Sequence, residues 1–224
     1  DLADFLNRCG GRIKGAGNST IVIDGVQKLR GCTYSVIADR IAAATYISAA
    51  ASTGGEISLT GIDSSICDSF LPVFEQMGCK IYVYSDRLYI NASGKLKGVN
   101  KIITMPHPGF PTDAQAVIMA ALCKAYGSSI FEENIFESRY RHVDALVKMG
   151  ADIKVIGKAA VVNGVEKLYG AKVSATDLRG GAAMAVAGLG AEGVTEVAEI
   201  HHIDRGYEDM EKAFSSLGGK IQRV

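Results

Sequence analysis

One pattern of hydrophobic and polar positions occurs four times along the chain: a short amphipathic helix, a glycine, and then a strand with alternating apolar residues. A period of 3.6 residues marks the helices and a period of two marks the strands. The glycines that end the predicted helices are Gly10, Gly78, Gly150 and Gly218. Each stands where a helix C-terminus needs a positive φ, which glycine adopts without strain. Their regular spacing, about 70 residues, predicts a repeated supersecondary unit.

Each of the first three glycines is followed by a predicted hairpin, whose later part reads IVIDGVQKLRG, LYINASGKLKG or AVVNGVEKLYG. These segments span 21–31, 88–98 and 160–170. A longer helix follows each hairpin, and these helices are predicted at 39–55, 112–127 and 176–193. Thr112 and Thr176 are the predicted N-caps, each followed by an aspartate that the helix dipole favours. With one further strand, the unit reads βαβαββ, which predicts a closed α/β domain of three units.

The predicted repeat is interrupted at both ends of the chain. The first unit starts at its second helix, and the last stops at Val224 after one strand of its hairpin. An unpaired hairpin strand leaves a backbone edge that natural folds rarely expose. We therefore expect the complete protein to have a further segment before Asp1.

Composition limits the classes of partner. Twenty-four basic residues balance 24 acidic ones, and 48% of the residues are apolar. A net charge of zero argues against nucleic acid or an anionic membrane as the main partner, but it allows a small anion held by a few arginines. No apolar stretch reaches the roughly 18 residues of a membrane span, so we expect a cytoplasmic protein. Five cysteines without a CxxC pair and four scattered histidines predict reduced thiols, with neither a metal nor another cofactor.

Four motifs carry candidate chemistry: PHPGFPTDAQA (106–116), FESRYRHV (136–143), TDLRGGAAM (176–184) and HIDRGYE (202–208). They place Asp113 and Asp177 at strand-to-helix corners of successive repeats. Arginines accompany them at the same ends of the repeats, where guanidinium groups would converge and suit phosphate or carboxylate ligands. Taken singly, the aspartates would merely complement helix dipoles and the arginines would be solvated.

The pair Gly180–Gly181 favours the functional interpretation. Two glycines in the first turns of a helix weaken it, which makes sense if a ligand or another backbone must approach closely there.

In this order and spacing, the four motifs resemble those of the enolpyruvyl transferases, and specifically the C-terminal half of the members that act on UDP-N-acetylglucosamine. The resemblance extends over essentially the whole chain. It implies a two-domain protein in which repeated βαβαββ units form inside-out α/β barrels with the active site between them. Residues 1–34 would be the tail of the first domain, and residues 35–224 the second domain without its N-terminal segment.

The resemblance also implies the reaction. The enolpyruvyl group of phosphoenolpyruvate would pass to the 3-hydroxyl of UDP-N-acetylglucosamine, and phosphate would be released. Asp113 matches the catalytic aspartate that contacts this hydroxyl and is proposed to take its proton, a role that needs a carboxylate within hydrogen-bond reach. Asp177 matches an aspartate near the reacting centre.

The implied binding residues come from three of the motifs. The backbone of Ile135 would contact the sugar nucleotide, and Phe136 would lie beside it in the pocket wall. Arg139, Arg179 and Arg205 match the arginines that bind the phosphate and carboxylate of phosphoenolpyruvate and of the intermediate.

Some of the family's site residues would belong to the missing N-terminal half, among them a cysteine-bearing loop, a lysine, an asparagine and two arginines. We therefore expect that half to be a partner of this chain, and the chain alone to be inactive. Ser138 departs from the asparagine that related sequences often carry. Two alternatives remain: the sister branch, which acts on shikimate 3-phosphate, and a non-catalytic repeat domain that binds a ligand or partner.

Overall fold

A computed structural model describes residues 1–224. The chain divides between Asp39 and Arg40 into an N-terminal unit and a main unit. The N-terminal unit contains α1 (Leu2–Arg8), β1 (Ile13–Lys14) and β2 (Val22–Ile23), and its two strands pair antiparallel. The assignment of residues 1–34 and 35–224 to separate domains of a longer protein stays a prediction.

The main unit alternates helices and strands. Its helices are α2 (Arg40–Thr53), α3 (Leu71–Met77), α4 (Thr112–Leu122), α5 (Val143–Lys148), α6 (Leu178–Leu189), α7 (His201–Asp204) and α8 (Met210–Ser216), with a 3₁₀ helix at Ser64–Cys67. Its strands are β3 (Glu56–Thr60), β4 (Lys80–Val83), β5 (Arg87–Asn91), β6 (Ile102–Ile103), β7 (Ser128–Glu132), β8 (Asp152–Ile156), β9 (Ala159–Asn163), β10 (Lys172–Ser174) and β11 (Glu196–Ala198). None of the helices combines the length and hydrophobicity needed to cross a membrane.

The strands form three sheets in the main unit. The first has the antiparallel order β3-β5-β4, the second the order β6-β7-β9-β8, and the third the parallel pair β10-β11. In the second sheet, β6 and β7 are parallel and the other pairs are antiparallel. The elements from β6 to β9 therefore follow the predicted order βαβαββ, and the mixed α/β class is confirmed.

The predicted repeat glycines have the expected backbone. Gly10, Gly78, Gly150 and Gly218 have φ values of 97°, 102°, 94° and 90°. At Gly78 the backbone amide donates to the carbonyl oxygens of the preceding helix turn, which ends α3. A side chain at such a position would strain the chain, so the glycine spacing in the sequence did mark the ends of equivalent helices.

The long helices α2, α4 and α6 pack against one another at the centre of the main unit. They are rich in alanine and glycine, and nearly every residue of α4 is buried, which is typical of a helix surrounded by protein. Small residues permit the close approach. At Gly190, which caps α6, an added Cβ would lie only 2.8 Å from the carbonyl oxygen of Ser52 in α2.

A single ammonium group joins the C-terminal ends of these helices. Lys124 follows α4, and its Nζ donates to the carbonyl oxygens of Ser52 (3.1 Å) and Gly190 (2.8 Å). The three helices therefore run in the same direction, with their negative dipole ends at Lys124. Their positive ends lie on the opposite side of the unit, where Asp113 and Arg179 stand in the first turns of α4 and α6.

The predicted hairpin strands were too long. Only the short strands Val22–Ile23, Arg87–Asn91 and Ala159–Asn163 overlap the predicted segments 21–31, 88–98 and 160–170. After β5, the side chain of Asn91 accepts from the amide of Ser93 and turns the chain. After β9, the amide of Val165 donates to the carbonyl of Cys123, so the chain leaves the sheet for the end of α4.

The predicted helix boundaries were also wrong in detail. Helix α4 starts at Thr112 itself, with Pro111 as its N-cap, and α6 starts after Asp177, which replaces Thr176 as the cap. Both helices end several residues before the predicted glycines. The predicted strand at the end of the chain does not form. Instead, Ser215 donates to the carbonyl of Ile221, and Arg223 pairs with Asp204.

The Lys124 contacts predict a stability effect. Burial lowers the pKa of Lys124, yet its ammonium satisfies carbonyl oxygens that have no helical partner. We expect Lys124→Met to lower the free energy of unfolding by about 1–3 kcal/mol, measured by urea denaturation. Lys95→Met, at an exposed position, is the control and should have little effect. Equal stability of the two variants would contradict the capping role.

Candidate active site

Asp113 stands in the first turn of α4, between two arginines from other elements. Its Oδ1 accepts from Nη2 of Arg139 at 2.5 Å, and its Oδ2 lies 3.4 Å from Nη2 of Arg179. The Asp113 side chain is 44% exposed, whereas the arginines are only 18% and 13% exposed. The carboxylate therefore stays accessible while the guanidinium groups that hold it are largely covered.

Arg179, the second residue of α6, is held from a second direction by Tyr207, which follows α7. Its Nη1 donates to the hydroxyl of Tyr207 at 3.3 Å, and its guanidinium carbon lies 5.8 Å from the centre of that ring. The Tyr207 hydroxyl is in turn 2.7 Å from Oγ1 of Thr45 in α2. The cluster of Asp113, Arg139 and Arg179 therefore depends on the N-terminal halves of α2, α4 and α6 together.

Arg139 lies in the loop between β7 and α5. Besides Asp113, its Nη2 approaches the carbonyl oxygen of Thr112 at 3.4 Å, and its guanidinium lies 5.6 Å from the centre of the Phe136 ring. Its Nε is buried and has no partner in the protein. This nitrogen is therefore unsatisfied and closed to solvent, while Nη2 makes the contacts to Asp113 and Thr112.

Asp177 caps α6 and lies close to the same cluster. Its Oδ1 accepts from the amides of Arg179 (3.0 Å) and Gly180 (2.9 Å). Burial acts to raise the pKa of Asp177, but the two amides and the nearby Arg139 outweigh it and lower that pKa. Asp177 is therefore an anion, and its carboxylate caps the first turn of α6, which contains Arg179.

His142 is a buried neighbour of this group. Burial, aided by the charge of Arg139 and opposed by that of Asp177, lowers its pKa to about 4. Its Nε2 has no partner, and an added Cβ on Gly180 would lie 3.2 Å from the His142 Cβ. His142 is therefore a neutral side chain packed beneath the start of α6.

The two early glycines of α6 serve packing within the chain. An added Cβ on Gly180 would meet His142, and one on Gly181 would lie 2.6 Å from Cγ1 of Ile203 in α7. The expectation of a close ligand or backbone at these glycines was wrong in this respect, because side chains of the chain itself occupy the space.

Other predicted residues lie outside the aspartate–arginine cluster. Arg205 is exposed after α7, and no hydrogen bond or ion pair joins its side chain to Asp113 or Arg139. Ile135 and Phe136 form the loop before Arg139, and both present large apolar side chains to solvent, 37% and 54% exposed. Such exposure suits a wall that a ligand covers.

Glu133 lies close to the cluster but was not among the site residues predicted from the sequence. It is 1% exposed, and its carboxylate accepts from side chains of α4 and from backbone amides of the Ile135–Phe136 loop. A signal was present in the sequence: Ser129, Phe131 and Glu133 alternate along the strand, and the first two face the interior. A glutamate that continues this inward register needs polar partners.

The cluster is suited to binding an anion and to moving a proton, and no group of three or more His, Cys, Asp or Glu side chains is placed to hold a metal ion. Comparison with known proteins agrees with this chemistry. A family model described as EPSP synthase (3-phosphoshikimate 1-carboxyvinyltransferase) matches residues 1–214. The chain belongs to this family of enolpyruvyl transferases.

Individual relatives in the enolpyruvyl transferase family are similar over the whole chain. UDP-N-acetylglucosamine 1-carboxyvinyltransferase 2 of Clostridium acetobutylicum is 51% identical over 223 residues, which is 100% of this chain and 53% of the relative. The enzyme with the same name from Caldanaerobacter subterraneus subsp. tengcongensis is 48% identical over 224 residues, covering 54% of its length. The chain thus spans about half the length of the curated relatives it matches.

Solved structures of enolpyruvyl transferases have the same fold. The enolpyruvyl transferase NikO from Streptomyces tendae matches with a TM-score of 0.84 and 26% identity, over 96% of this chain and 52% of NikO. EPSP synthase from Acinetobacter baumannii matches with a TM-score of 0.77 over 98% of this chain and 54% of its own; at 19% identity this likeness concerns the fold alone.

His142 predicts a pH-dependent loss of stability. Its folded pKa, about 4, is below its ordinary value of 6.5, so the unfolded chain takes up a proton that the folded chain resists. The full stability is present above the unfolded pKa, and about 3 kcal/mol of it is lost as the pH falls from about 6.5 to about 4. We expect His142→Asn to remove this part of the slope in urea unfolding measured across that range. Parallel pH profiles of wild type and variant would contradict it.

Proposed function

We propose that this chain is the C-terminal half of a UDP-N-acetylglucosamine 1-carboxyvinyltransferase. It would help to transfer the enolpyruvyl group of phosphoenolpyruvate to the 3-hydroxyl of UDP-N-acetylglucosamine, with release of phosphate. The observation that carries the proposal is the exposed Asp113 carboxylate held between the covered guanidinium groups of Arg139 and Arg179. The names of relatives about half identical over the whole chain support this acceptor in particular.

Phosphoenolpyruvate is the substrate that suits the arginines. Its phosphate and carboxylate are planar or multidentate anions, which guanidinium forks bind well. Arg139 directs its Nη2 to the partly exposed Asp113 carboxylate, and Arg179 stands at the positive end of α6. Arg205, exposed and without an ion pair, would join them once ligand is bound.

Asp113 would act as the base. The methylene carbon of phosphoenolpyruvate takes up a proton, and the sugar 3-hydroxyl bonds to the adjacent carbon while Asp113 accepts the hydroxyl proton. This gives a tetrahedral intermediate that still carries the phosphate. Loss of phosphate and of a proton from the methyl group restores the double bond. Asp177, an anion beside Arg139, would stabilise the positive charge of the arginines around the reacting centre.

The sugar nucleotide would lie against the exposed loop of Ile135 and Phe136. The amide of Ile135 already donates to Glu133, so its carbonyl oxygen is the backbone atom left to contact this substrate. The exposed Phe136 ring, 5.6 Å from the Arg139 guanidinium, would form the adjoining wall.

The complete protein would contain an N-terminal half that closes over this face, supplies the remaining active-site residues and completes an inside-out barrel. The reaction would be the first committed step of peptidoglycan synthesis, carried out in the cytoplasm without a cofactor, a metal, nucleic acid or a membrane. The chain alone would then bind ligands weakly and would not turn over.

Substitution of Asp113 tests the proposal. In the two-domain protein, we expect phosphate release from phosphoenolpyruvate and UDP-N-acetylglucosamine, and a fall in kcat of about 100- to 10,000-fold for Asp113→Asn, because the base is lost. Asp86→Asn, an exposed carboxylate in the β4–β5 turn, is the matched control. Undiminished turnover by Asp113→Asn would exclude Asp113 as the base, and absence of wild-type turnover would contradict the proposed reaction.

A further inference from the structure

Glu133 is the only aspartate or glutamate of the chain that is buried, at 1% exposure, and no lysine or arginine forms an ion pair with it. A buried carboxylate without a cation is costly unless hydrogen bonds satisfy it. Here four donors do so. Its Oε2 accepts from Oγ1 of Thr112 and from Nε2 of Gln115, both at 2.9 Å. Its Oε1 accepts from the amides of Ile135 (2.8 Å) and Phe136 (3.0 Å).

These four donors come from the two parts of the site that must be placed relative to each other. Thr112 and Gln115 flank Asp113 in the first turn of α4, while Ile135 and Phe136 form the exposed loop beside Arg139. One oxygen of Glu133 faces each part. The carboxylate is thus a direct connection between the segment carrying the base and the segment carrying the pocket wall.

We propose that Glu133 is a positioning residue that sets the distance between Asp113 and the Ile135–Phe136 wall, and thereby the affinity for the sugar nucleotide. The inference rests on the proposed function for the identity of that ligand. Glu133 itself touches no reacting atom. It acts through the first turn of α4 and through the loop, whose amides it holds in place.

A glutamine at this position can preserve the connection without the charge. Its amide oxygen could accept from the amides of Ile135 and Phe136, and its NH₂ group could donate to Thr112 Oγ1. The second amide hydrogen would need an acceptor, and the buried Oε1 of Gln115 has no partner. Rotation of the Gln115 amide would supply it. Glu133→Gln therefore separates the loss of charge from the loss of the connection.

Steady-state kinetics of the two-domain protein test the role. We expect Glu133→Ala to raise the KM for UDP-N-acetylglucosamine by about 10- to 100-fold, because two loop amides lose their acceptor. The KM for phosphoenolpyruvate should change little, since Arg139 is paired with Asp113 and Arg179 with Tyr207, and Glu133 contacts neither partner. Glu133→Gln should restore the KM for the sugar nucleotide to near the wild-type value.

Glu132→Ala is the matched control, because Glu132 is the preceding residue and forms a partly exposed ion pair with Lys101. Equal rises in both KM values, or a Glu133→Gln variant as impaired as Glu133→Ala, would overturn the positioning role. If Glu133→Ala does not fold, Thr112→Val decides, because it removes one donor only. A raised KM for the sugar nucleotide then supports the proposal, and an unchanged KM overturns it.

Amide hydrogen exchange separates this inference from the proposed reaction. In the wild type, the Ile135 and Phe136 amides should be protected despite their exposed side chains. Glu133→Ala should accelerate their exchange by about tenfold or more, and Glu133→Gln should retain the protection. Absence of enzymatic turnover together with this pattern would reject the reaction and keep the positioning by Glu133. Unchanged exchange in Glu133→Ala would reject the positioning.

Discussion

The close parallel packing of α2, α4 and α6 is the constraint on which the candidate site depends. Alanine and glycine allow the helices to approach, and Lys124 satisfies carbonyl oxygens at their C-terminal ends. The helix dipoles are therefore aligned, so their positive ends meet at one face. Asp113 and Arg179 come from the first turns of α4 and α6, and Thr45 comes from the second turn of α2, which is why residues distant in sequence form one cluster.

The cluster combines strong charges with partial access to solvent. Asp113 is paired with two guanidinium groups, yet it remains the most exposed member and can meet a ligand. Two neighbouring residues pack against the cluster. Asp177 caps α6, and His142 stays neutral because burial lowers its pKa. An incoming anion would thus find arginines that are already oriented, which is the arrangement electrostatic catalysis requires.

Much of this could be predicted from the sequence, because glycine spacing and periodicity report local geometry directly. The helix ends at Gly78 and Gly150, the order βαβαββ and the proximity of Asp113 to Arg139 and Arg179 were predicted. The ends of the strands were not predicted, because they depend on hydrogen bonds between residues far apart in sequence, such as the one from the amide of Val165 to the carbonyl of Cys123. Glu133 was missed because its four partners come together only in three dimensions, and the exposed Arg205 has no partner within this chain.

The choice of acceptor tests the central claim most directly. Phosphate release by the two-domain protein should be measured with phosphoenolpyruvate and either UDP-N-acetylglucosamine or shikimate 3-phosphate. The account predicts turnover with the sugar nucleotide and none with shikimate 3-phosphate. Turnover with shikimate 3-phosphate alone would contradict the proposed acceptor while keeping the fold. No turnover with either would instead favour a non-catalytic domain whose arginines bind another anion.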